Sequence, residues 1–266
     1  MKRVRVAVHG AAGRMGQEII NAVCQEPELQ IVGAVDIKAT QDYLTLPDGS
    51  GTVPFSQKLD YILTSCQPEV LVDFTTAQAT MPAVRTAAGH GVNIVIGTTG
   101  LTADDIKEIE SLAKANKIGA VVAPNFALGA VLMIHLAKIA AKYFDFAEII
   151  ELHHHLKADS PSGTALATAK AMAQAKGKPF STPQGKTSES RGGQVEGVAI
   201  HSVRLPGLLA HQEVLMGGAG QTLSIRHDTI GRQCYMPGVI LAIKEVLKHK
   251  GLIYGLDALL GLEEGK

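Results

Sequence analysis

Short apolar runs alternate with amphipathic stretches through the first half of the chain. Val4–Val8 predicts a strand, Gly13–Cys24 an amphipathic helix, and Gln30–Val35 a second strand that ends at Asp36. Further strands and helices are predicted in turn at residues 70–73, 77–88, 92–96, 102–115 and 119–123. These later strands are continuous apolar runs, which is typical of strands that helices cover on both faces. The pattern therefore predicts an α/β domain with a doubly wound parallel sheet.

The alternation is interrupted between Thr40 and Leu59. This stretch contains two prolines, two glycines, aspartate and serine in close succession, and these residues favour turns through their backbone preferences. We expect a surface loop there.

The pattern changes again after Asn125. A long helix, a strand, a second helix and three further strands are predicted at residues 128–142, 148–155, 162–175, 197–204, 213–216 and 222–226. These elements predict a second, α+β domain built on a mixed sheet. The polar stretch Lys176–Gln194 is expected to be a mobile loop. Pro237 fits the first turn of a closing helix, Gly238–Lys248, which is expected to return to the first domain.

Charge and cysteine content narrow the choice of partners and compartment. The 266 residues include 25 basic and 25 acidic side chains without a long run of either sign, so a small molecule is a better partner than nucleic acid or an anionic membrane. Three scattered cysteines argue against a disulfide framework. The sequence has no apolar run of 18 residues and no signal-like start. We expect a cytoplasmic protein.

A glycine-rich turn joins the first predicted strand to the first helix. It reads Gly10-Ala11-Ala12-Gly13-Arg14-Met15-Gly16, and such a turn lets backbone N–H groups and a helix N-terminus approach a pyrophosphate. Ala12 stands where the dinucleotide fingerprint has its second glycine, and a tight turn without a ligand is the alternative. The first domain is accordingly predicted to be Rossmann-like.

Residues at the ends of later strands extend this prediction. Asp36 lies where an acidic side chain accepts hydrogen bonds from the adenosine ribose, which favours NADH. Lys38 offers a cation for the additional phosphate of NADPH, or is simply a solvated lysine. Two further turns follow strand ends at the carboxyl edge, where open α/β sheets bind ligands. They contain Gly97, Thr98 and Thr99, and Ala123, Pro124, Asn125 and Phe126.

The segment from Glu151 to Ala165 combines three histidines, a lysine and a helix start. Ser162-Gly163-Thr164 offers N–H groups and two hydroxyls to a carboxylate, or Ser162 is only a helix N-cap. Lys157 would add a positive charge and a proton donor, unless it is a surface lysine. On a strand, His153 and His155 would share a face that His154 does not, so no metal site is expected and acid–base chemistry suits the histidines better.

These motifs resemble the dihydrodipicolinate reductase family over essentially the whole chain, above all in the pattern E-x-H-H-x-x-K-x-D-x-P-S-G-T-A at Glu151–Ala165. The resemblance implies reduction of 4-hydroxy-tetrahydrodipicolinate, a cyclic imino dicarboxylate, to tetrahydrodipicolinate with loss of water, on the pathway to lysine and diaminopimelate. It implies NADH or NADPH as the hydride source, and a homotetramer assembled through the second domain.

The resemblance also implies roles for individual residues. His153 would be the proton donor or acceptor, and Lys157 a proton donor beside the substrate. His154, Gly163 and Thr164 would hold substrate carboxylates. The implied domains are residues 1–126 for the dinucleotide, 127–234 for the substrate and tetramer contacts, and 235–266 as a segment that returns to the first domain.

Cofactor preference stays open, and so do two rival functions. The sequence departs from the family at Ala12, at His155 and Leu156, where members often carry more basic residues, and at Thr76, where some have an arginine near the cofactor. An amino-acid or sugar dehydrogenase would share the first domain but lack the Ser162–Thr164 anion site. A redox sensor that binds NADH would need neither catalytic side chain.

Overall fold

Two sheets organise the chain in the computed structural model, which describes residues 2–182 and 189–262. The first compact unit comprises Met1–Leu128 together with Tyr235–Lys266, and the second comprises Gly129–Cys234. Among the described residues, no helix is long and apolar enough to cross a membrane.

Eight of the described strands form the sheet of the first unit, in the order β13-β7-β6-β5-β1-β2-β4-β3. All neighbouring pairs are parallel except β3 with β4. The strands are β1 (Val4–His9), β2 (Leu29–Val35), β3 (Tyr43–Thr45), β4 (Thr52–Ser56), β5 (Val70–Asp73), β6 (Asn93–Ile96), β7 (Gly119–Val122) and β13 (Gly251–Tyr254). Strands β5 and β7 are buried throughout, as their continuous apolar runs predict.

The first unit also contains helices that connect or follow these strands in the sequence. They are α1 (Arg14–Gln25), α2 (Leu59–Cys66), α3 (Ala77–Gly89), α4 (Ala103–Ala115), α7 (Met236–Val246) and α8 (Leu256–Leu259). Local sequence explains their starts: α4 begins with a capping box between Thr102 and Asp105, and Pro237 lies in the first turn of α7. One core cluster unites strand and helix side chains, among them Ile62, Leu71, Val84, Ile94 and Ile109.

The prediction of a surface loop at Thr40–Leu59 is wrong. This stretch contains β3 and β4, which pair as an antiparallel hairpin, and β4 also joins the parallel sheet beside β2. Its turn residues lie in the connection between the two strands, where Gly49 and Gly51 adopt positive φ. The short strand Thr52–Ser56 contains Pro54, which obscures its strand pattern. Elements α2, β13 and α8 were not predicted.

The second unit is built on a sheet of five described strands, in the order β12-β11-β8-β10-β9. These are β8 (Phe146–His153), β9 (Gly193–Val195), β10 (Val198–Arg204), β11 (Ala210–Gly218) and β12 (Gln221–Thr229). β10 runs parallel to β8 and the other pairs are antiparallel, so the sheet is mixed. Helices α5 (Leu128–Ala141) and α6 (Gly163–Lys176) cover one face through a core that includes Ala137, Ile149, Met172, Ile200 and Val214.

Two predictions in this unit need correction. The predicted strand 148–155 starts at Phe146 and ends at His153, so the alternation argument does not apply to His154 and His155. The predicted mobile loop Lys176–Gln194 includes the end of α6, a short 3₁₀ turn and the first residues of β9. Residues 177–182 form neither helix nor strand, in agreement with a loop, and residues 183–188 lie outside the described residues. The fold class itself, a Rossmann-like parallel sheet with a second mixed-sheet domain, is confirmed.

Candidate active site

The glycine turn after β1 is shaped by close backbone packing. Gly10 adopts φ +84°, and a Cβ there would lie 2.5 Å from the carbonyl oxygen of Phe74. A Cβ at Gly16 would overlap the carbonyl of Gly10, so α1 packs directly against the turn. Gly13 is the N-cap of α1 and, in the described structure, no side chain caps this helix. The turn thus presents a helix N-terminus to a ligand, as a dinucleotide phosphate requires.

Asp36 is tied to this turn. Its carboxylate accepts hydrogen bonds from the backbone N–H of Ala12 at 2.9 Å and of Lys38 at 2.9 Å, and the residue is 7% exposed. The contact between position 12 and Asp36 uses the backbone N–H, so it does not require glycine there. Arg14 and Lys38 are exposed, and Ala11 is buried.

A buried carboxylate, Asp73, lies at the end of the neighbouring strand β5. It accepts hydrogen bonds from His9 Nδ1 at 2.6 Å, Thr98 Oγ1 at 2.6 Å and Thr80 Oγ1 at 2.8 Å. Burial opposes its ionisation, but these hydrogen bonds and the charge of His9 outweigh that effect and lower the pKa of Asp73. Thr98 also accepts a hydrogen bond from the N–H of Thr75 at 2.8 Å. Asp73 thus joins the ends of β1, β5 and β6.

The two other predicted turns of this unit meet at one aromatic ring. A Cβ at Gly97 would overlap the ring of Phe74, which also lies 5.5 Å from the ring of Phe126 between centroids. Asn125 accepts a hydrogen bond from the N–H of Ala127 at 2.9 Å and so shapes the turn before α5. The structure therefore brings the predicted cofactor residues of Gly97–Thr99 and Ala123–Phe126 to one edge of the sheet.

In the second unit, Glu151 and His153 project from the same face of β8. The Nδ1 atom of His153 lies 2.5 Å from Glu151 Oε2, and Glu151 is fully buried. Nε2 of His153 makes no hydrogen bond with any residue that the structure describes. Because the strand alternates, residues two apart share a face, and this places the carboxylate directly behind the imidazole.

Arg204 completes this arrangement from the parallel strand β10, where it is the register partner of His153. Its two terminal nitrogens donate to the two oxygens of Glu151, both at 2.8 Å, and one also donates to the Asp159 carbonyl at 2.7 Å. Burial raises the pKa of Glu151, but hydrogen bonds from His153, Arg204 and Ser202 more than offset it and lower the pKa to about 2. Glu151 is therefore ionised at neutral pH.

The remaining predicted residues lie in the turn after β8 and at the start of α6. Lys157 Nζ contacts Asp159 Oδ1 at 2.7 Å, and this ion pair lowers the pKa of Asp159. Ser162 is the N-cap of α6, since its hydroxyl accepts from the Ala165 N–H at 3.2 Å, and its own N–H donates to Glu151. The cap interpretation of Ser162 therefore holds, and the residue is buried.

The other predicted residues of the segment differ in the free space around them and in their exposure to solvent. A Cβ at Gly163 would meet no described atom within 4 Å, so the first turn of α6 is open to a close approach there. Thr164 follows it on the same turn, and His154 and His155 are exposed beyond the end of β8. Among the described residues, no group of three or more His, Cys, Asp or Glu side chains is placed to hold a metal ion.

Sequence reasoning assigned no role to Glu151, Arg204 or Asp73, although all three contact predicted site residues or their strand neighbours. Glu151 carried a usable signal, because an acidic residue two positions before a histidine in an apolar strand shares its face. Arg204 carried none, since its pairing with Glu151 depends on the parallel register of two strands 53 residues apart in sequence.

Comparison with known proteins gives concordant results for both units. The family model described as dihydrodipicolinate reductase, N-terminus, matches residues 4–126, and the model described as dihydrodipicolinate reductase, C-terminus, matches residues 129–260. The chain is 57% identical over 263 residues to a 4-hydroxy-tetrahydrodipicolinate reductase of Dehalococcoides mccartyi, covering 98% of this chain and 100% of the relative. It is 48% identical to the protein of that name from Moorella thermoacetica, covering 97% and 98%.

Solved structures agree with these matches. The structure of dipicolinate-bound dihydrodipicolinate reductase from Paenisporosarcina sp. TG-14 is similar with a TM-score of 0.85 and 41% identity, covering 96% of this chain and 99% of that one. An amine dehydrogenase from Mycobacterium smegmatis, at TM-score 0.65 and 17% identity with 94% of each chain covered, shares the fold alone. On the two family models and the full-length relatives, the chain belongs to the dihydrodipicolinate reductase family.

Proposed function

We propose that this protein reduces 4-hydroxy-tetrahydrodipicolinate to tetrahydrodipicolinate with NADH or NADPH, in lysine and diaminopimelate biosynthesis. The observation that carries the proposal is the segment Glu151–Thr164, in which a carboxylate-backed His153, Lys157 and an open helix start follow one another on the second unit. Full-length relatives bear the name of this reductase.

The first unit fits a dinucleotide. Its glycine turn has no room for side chains at Gly10 and Gly16, and the uncapped start of α1 suits a diphosphate. The proposed cofactor residues are Gly10, Ala11, Ala12, Gly13, Arg14, Met15, Asp36, Lys38, Gly97, Thr98, Thr99, Ala123, Pro124, Asn125 and Phe126. The carboxylate of Asp36 beside the turn favours NADH, since a further phosphate there would meet a negative charge.

The second unit suits a dicarboxylate. Lys157 supplies a positive charge, and the first turn of α6 supplies N–H groups at Gly163 and Thr164. Ser162 and His154 are the further proposed carboxylate contacts. The Paenisporosarcina relative was solved with a planar dicarboxylate, dipicolinate, which is the kind of ligand this site would take.

The reaction needs a hydride and a proton, and it releases water. The nicotinamide, when bound, supplies the hydride to a ring carbon of the substrate. His153 exchanges a proton at Nε2, because its Nδ1 is engaged by Glu151. Lys157 neutralises a substrate carboxylate and is the second proton donor beside it. The hydroxyl group leaves as water with a proton from one of these donors, and the proton lost from the neighbouring ring carbon passes to a base. The hydride and a second proton then add across the double bond so formed, which leaves a net uptake of one proton.

The test is oxidation of NADH, then of NADPH, by the purified protein with substrate generated by an upstream synthase. We expect turnover with wild type, and a fall of about 100-fold or more for His153→Ala and Lys157→Ala. Binding of NADH, followed by fluorescence, should be unchanged in both variants. Wild-type turnover by both variants would overturn the residue assignment. Cofactor binding without turnover by wild type would favour a redox sensor, and turnover on amino acids or sugars another dehydrogenase.

The organisation implied by the resemblance is part of the proposal. Residues 1–126 and 235–266 would serve the dinucleotide, and residues 127–234 the substrate and the contacts of a homotetramer. Edge strand β12 exposes a long row of side chains that a second copy could cover. Light scattering on the purified protein should give four chains per particle. A cytoplasmic location is supported by the three cysteines, all free within the described structure, and fractionation of cells tests it.

A further inference from the structure

Strand β8 carries two glutamates that each pair with a histidine and an arginine. On one face, Glu151 contacts His153 and Arg204 and is fully buried. On the other face, Glu148 accepts a hydrogen bond from His201 Nε2 at 2.8 Å and pairs with Arg191, and it remains partly exposed. The same chemical types therefore occur twice on one strand, but only one set includes the proposed proton-exchanging histidine.

We propose that Glu151 is a positioning residue that fixes the tautomer and orientation of His153, and that Arg204 keeps Glu151 in place as an ion. This inference rests on the proposed function for its kinetic consequence, and on geometry alone for the state of the imidazole.

The tautomer follows from the donors and acceptors present. An ionised carboxylate only accepts hydrogen bonds, so the Nδ1 atom of His153, 2.5 Å from Glu151 Oε2, carries a hydrogen. In the neutral imidazole the lone pair is then on Nε2, and in the charged form Nε2 carries the second proton. The substrate-facing proton is thereby confined to Nε2, which is the condition for efficient general acid–base work.

Arg204 stabilises the ionised form of Glu151 and holds its carboxylate in position. A fully buried carboxylate without a cation would favour its protonated form, which could not act as a pure acceptor. The guanidinium engages both oxygens of Glu151 and also the Asp159 carbonyl. The last contact ties the turn that carries Lys157 to the same cation. The pair thus couples the orientation of His153 to the turn that precedes α6.

The first experiment reads the tautomer by solid-state NMR on protein labelled with ¹⁵N-histidine, at alkaline pH where the imidazoles are neutral. The His153 signals are assigned by their loss in His153→Gln. We expect the wild type to carry hydrogen on Nδ1. In Glu151→Gln, the backbone N–H of Ser162 and one nitrogen of Arg204 both donate to the Oε1 position, so the amide oxygen should lie there. The amide NH₂ then faces Nδ1 of His153, and the hydrogen should move to Nε2.

The second experiment measures kinetics on the same variants, with Glu148→Gln as the matched control from the opposite face of β8. For Glu151→Gln we expect kcat to fall about 100-fold while the KM values for substrate and NADH change less than about threefold. Glu148→Gln should retain wild-type kcat and the wild-type tautomer. Arg204→Lys, which keeps the charge without the fork, should keep the Nδ1 hydrogen and lose less activity than Glu151→Gln.

The outcomes separate the inference from the function on which it rests. If wild type shows no turnover, the proposed function fails, and the NMR result still decides the role of Glu151 on the imidazole. If turnover is normal and Glu151→Gln keeps both the Nδ1 hydrogen and the wild-type kcat, the positioning role is overturned. An equal loss of kcat in Glu148→Gln would also overturn it, because the effect would then belong to the sheet rather than to His153.

Discussion

Each unit contains a fully buried carboxylate that is hydrogen-bonded to a histidine, but the other hydrogen-bond partners of the two carboxylates differ. Asp73 of the first unit contacts His9 at 2.6 Å, and Glu151 of the second contacts His153 at 2.5 Å. The other partners of Asp73 are hydroxyl groups of threonines. The other main partner of Glu151 is the guanidinium of Arg204.

This difference matches what each carboxylate has to support. The hydroxyl groups of Thr75, Thr80 and Thr98 make Asp73 a junction that holds loops in place, including the turn at Thr98. A guanidinium adds charge, so Glu151 remains an ion beside the histidine that is proposed to exchange a proton. Burial alone therefore does not specify what a carboxylate does. The identity of its partners does.

The largest expected effect comes from removing the cation beside Glu151. In Arg204→Ala, the buried carboxylate loses its bidentate partner, and breaking such a pair costs about 3–5 kcal/mol of unfolding free energy. Urea denaturation followed by circular dichroism measures the change. Arg226→Ala, at an exposed ion pair of the same unit, is the control and should cost less than about 1 kcal/mol. Equal effects would show that Glu151 does not depend on Arg204.

The second prediction concerns the loss of unfolding free energy at acidic pH, to which Glu151 should contribute. Its pKa is about 2 in the folded protein against an ordinary 4.5, so the stabilisation is complete above the ordinary value and is lost as the pH falls towards 2. The shift corresponds to roughly 3 kcal/mol of unfolding free energy. Urea titrations at a series of pH values should show this loss in wild type and a flatter profile in Glu151→Gln. Parallel profiles for the two proteins would contradict the lowered pKa.

The smallest of the three effects concerns Asp73. Asp73→Asn keeps the shape but removes the charge and one acceptor, so the turn at Thr98 should loosen and the KM for NADH rise about tenfold, equivalent to about 1.4 kcal/mol. Dipicolinate affinity, measured by calorimetry, should not change. Asp60→Asn, at the exposed pair with His90, is the matched control and should leave both values at wild type. A weakened dipicolinate affinity in Asp73→Asn would contradict a role confined to the first unit.

The periodicity of apolar residues predicted most helices and strands, because each element must place its apolar side chains on its buried face. The continuous apolar runs of β5 and β7 follow directly from a sheet covered on both faces. The resemblance carried by Glu151–Ala165 is confirmed at the level of the family. The hairpin at β3 and β4 was missed because its strands are short and rich in turn residues, and only pairing with β2 gives them a stable place.

Local sequence patterns were sufficient to predict the chemical groups of the candidate site, namely a glycine turn suited to a phosphate, and a histidine and a lysine next to a helix start. These are local properties, since turn conformation, capping and strand alternation depend on neighbours along the chain. The distant groups that support them can be identified only in the folded chain. Arg204 reaches Glu151, and Thr98 reaches Asp73, because strands distant in sequence pair in one particular register, and that register is set by packing of the whole sheet.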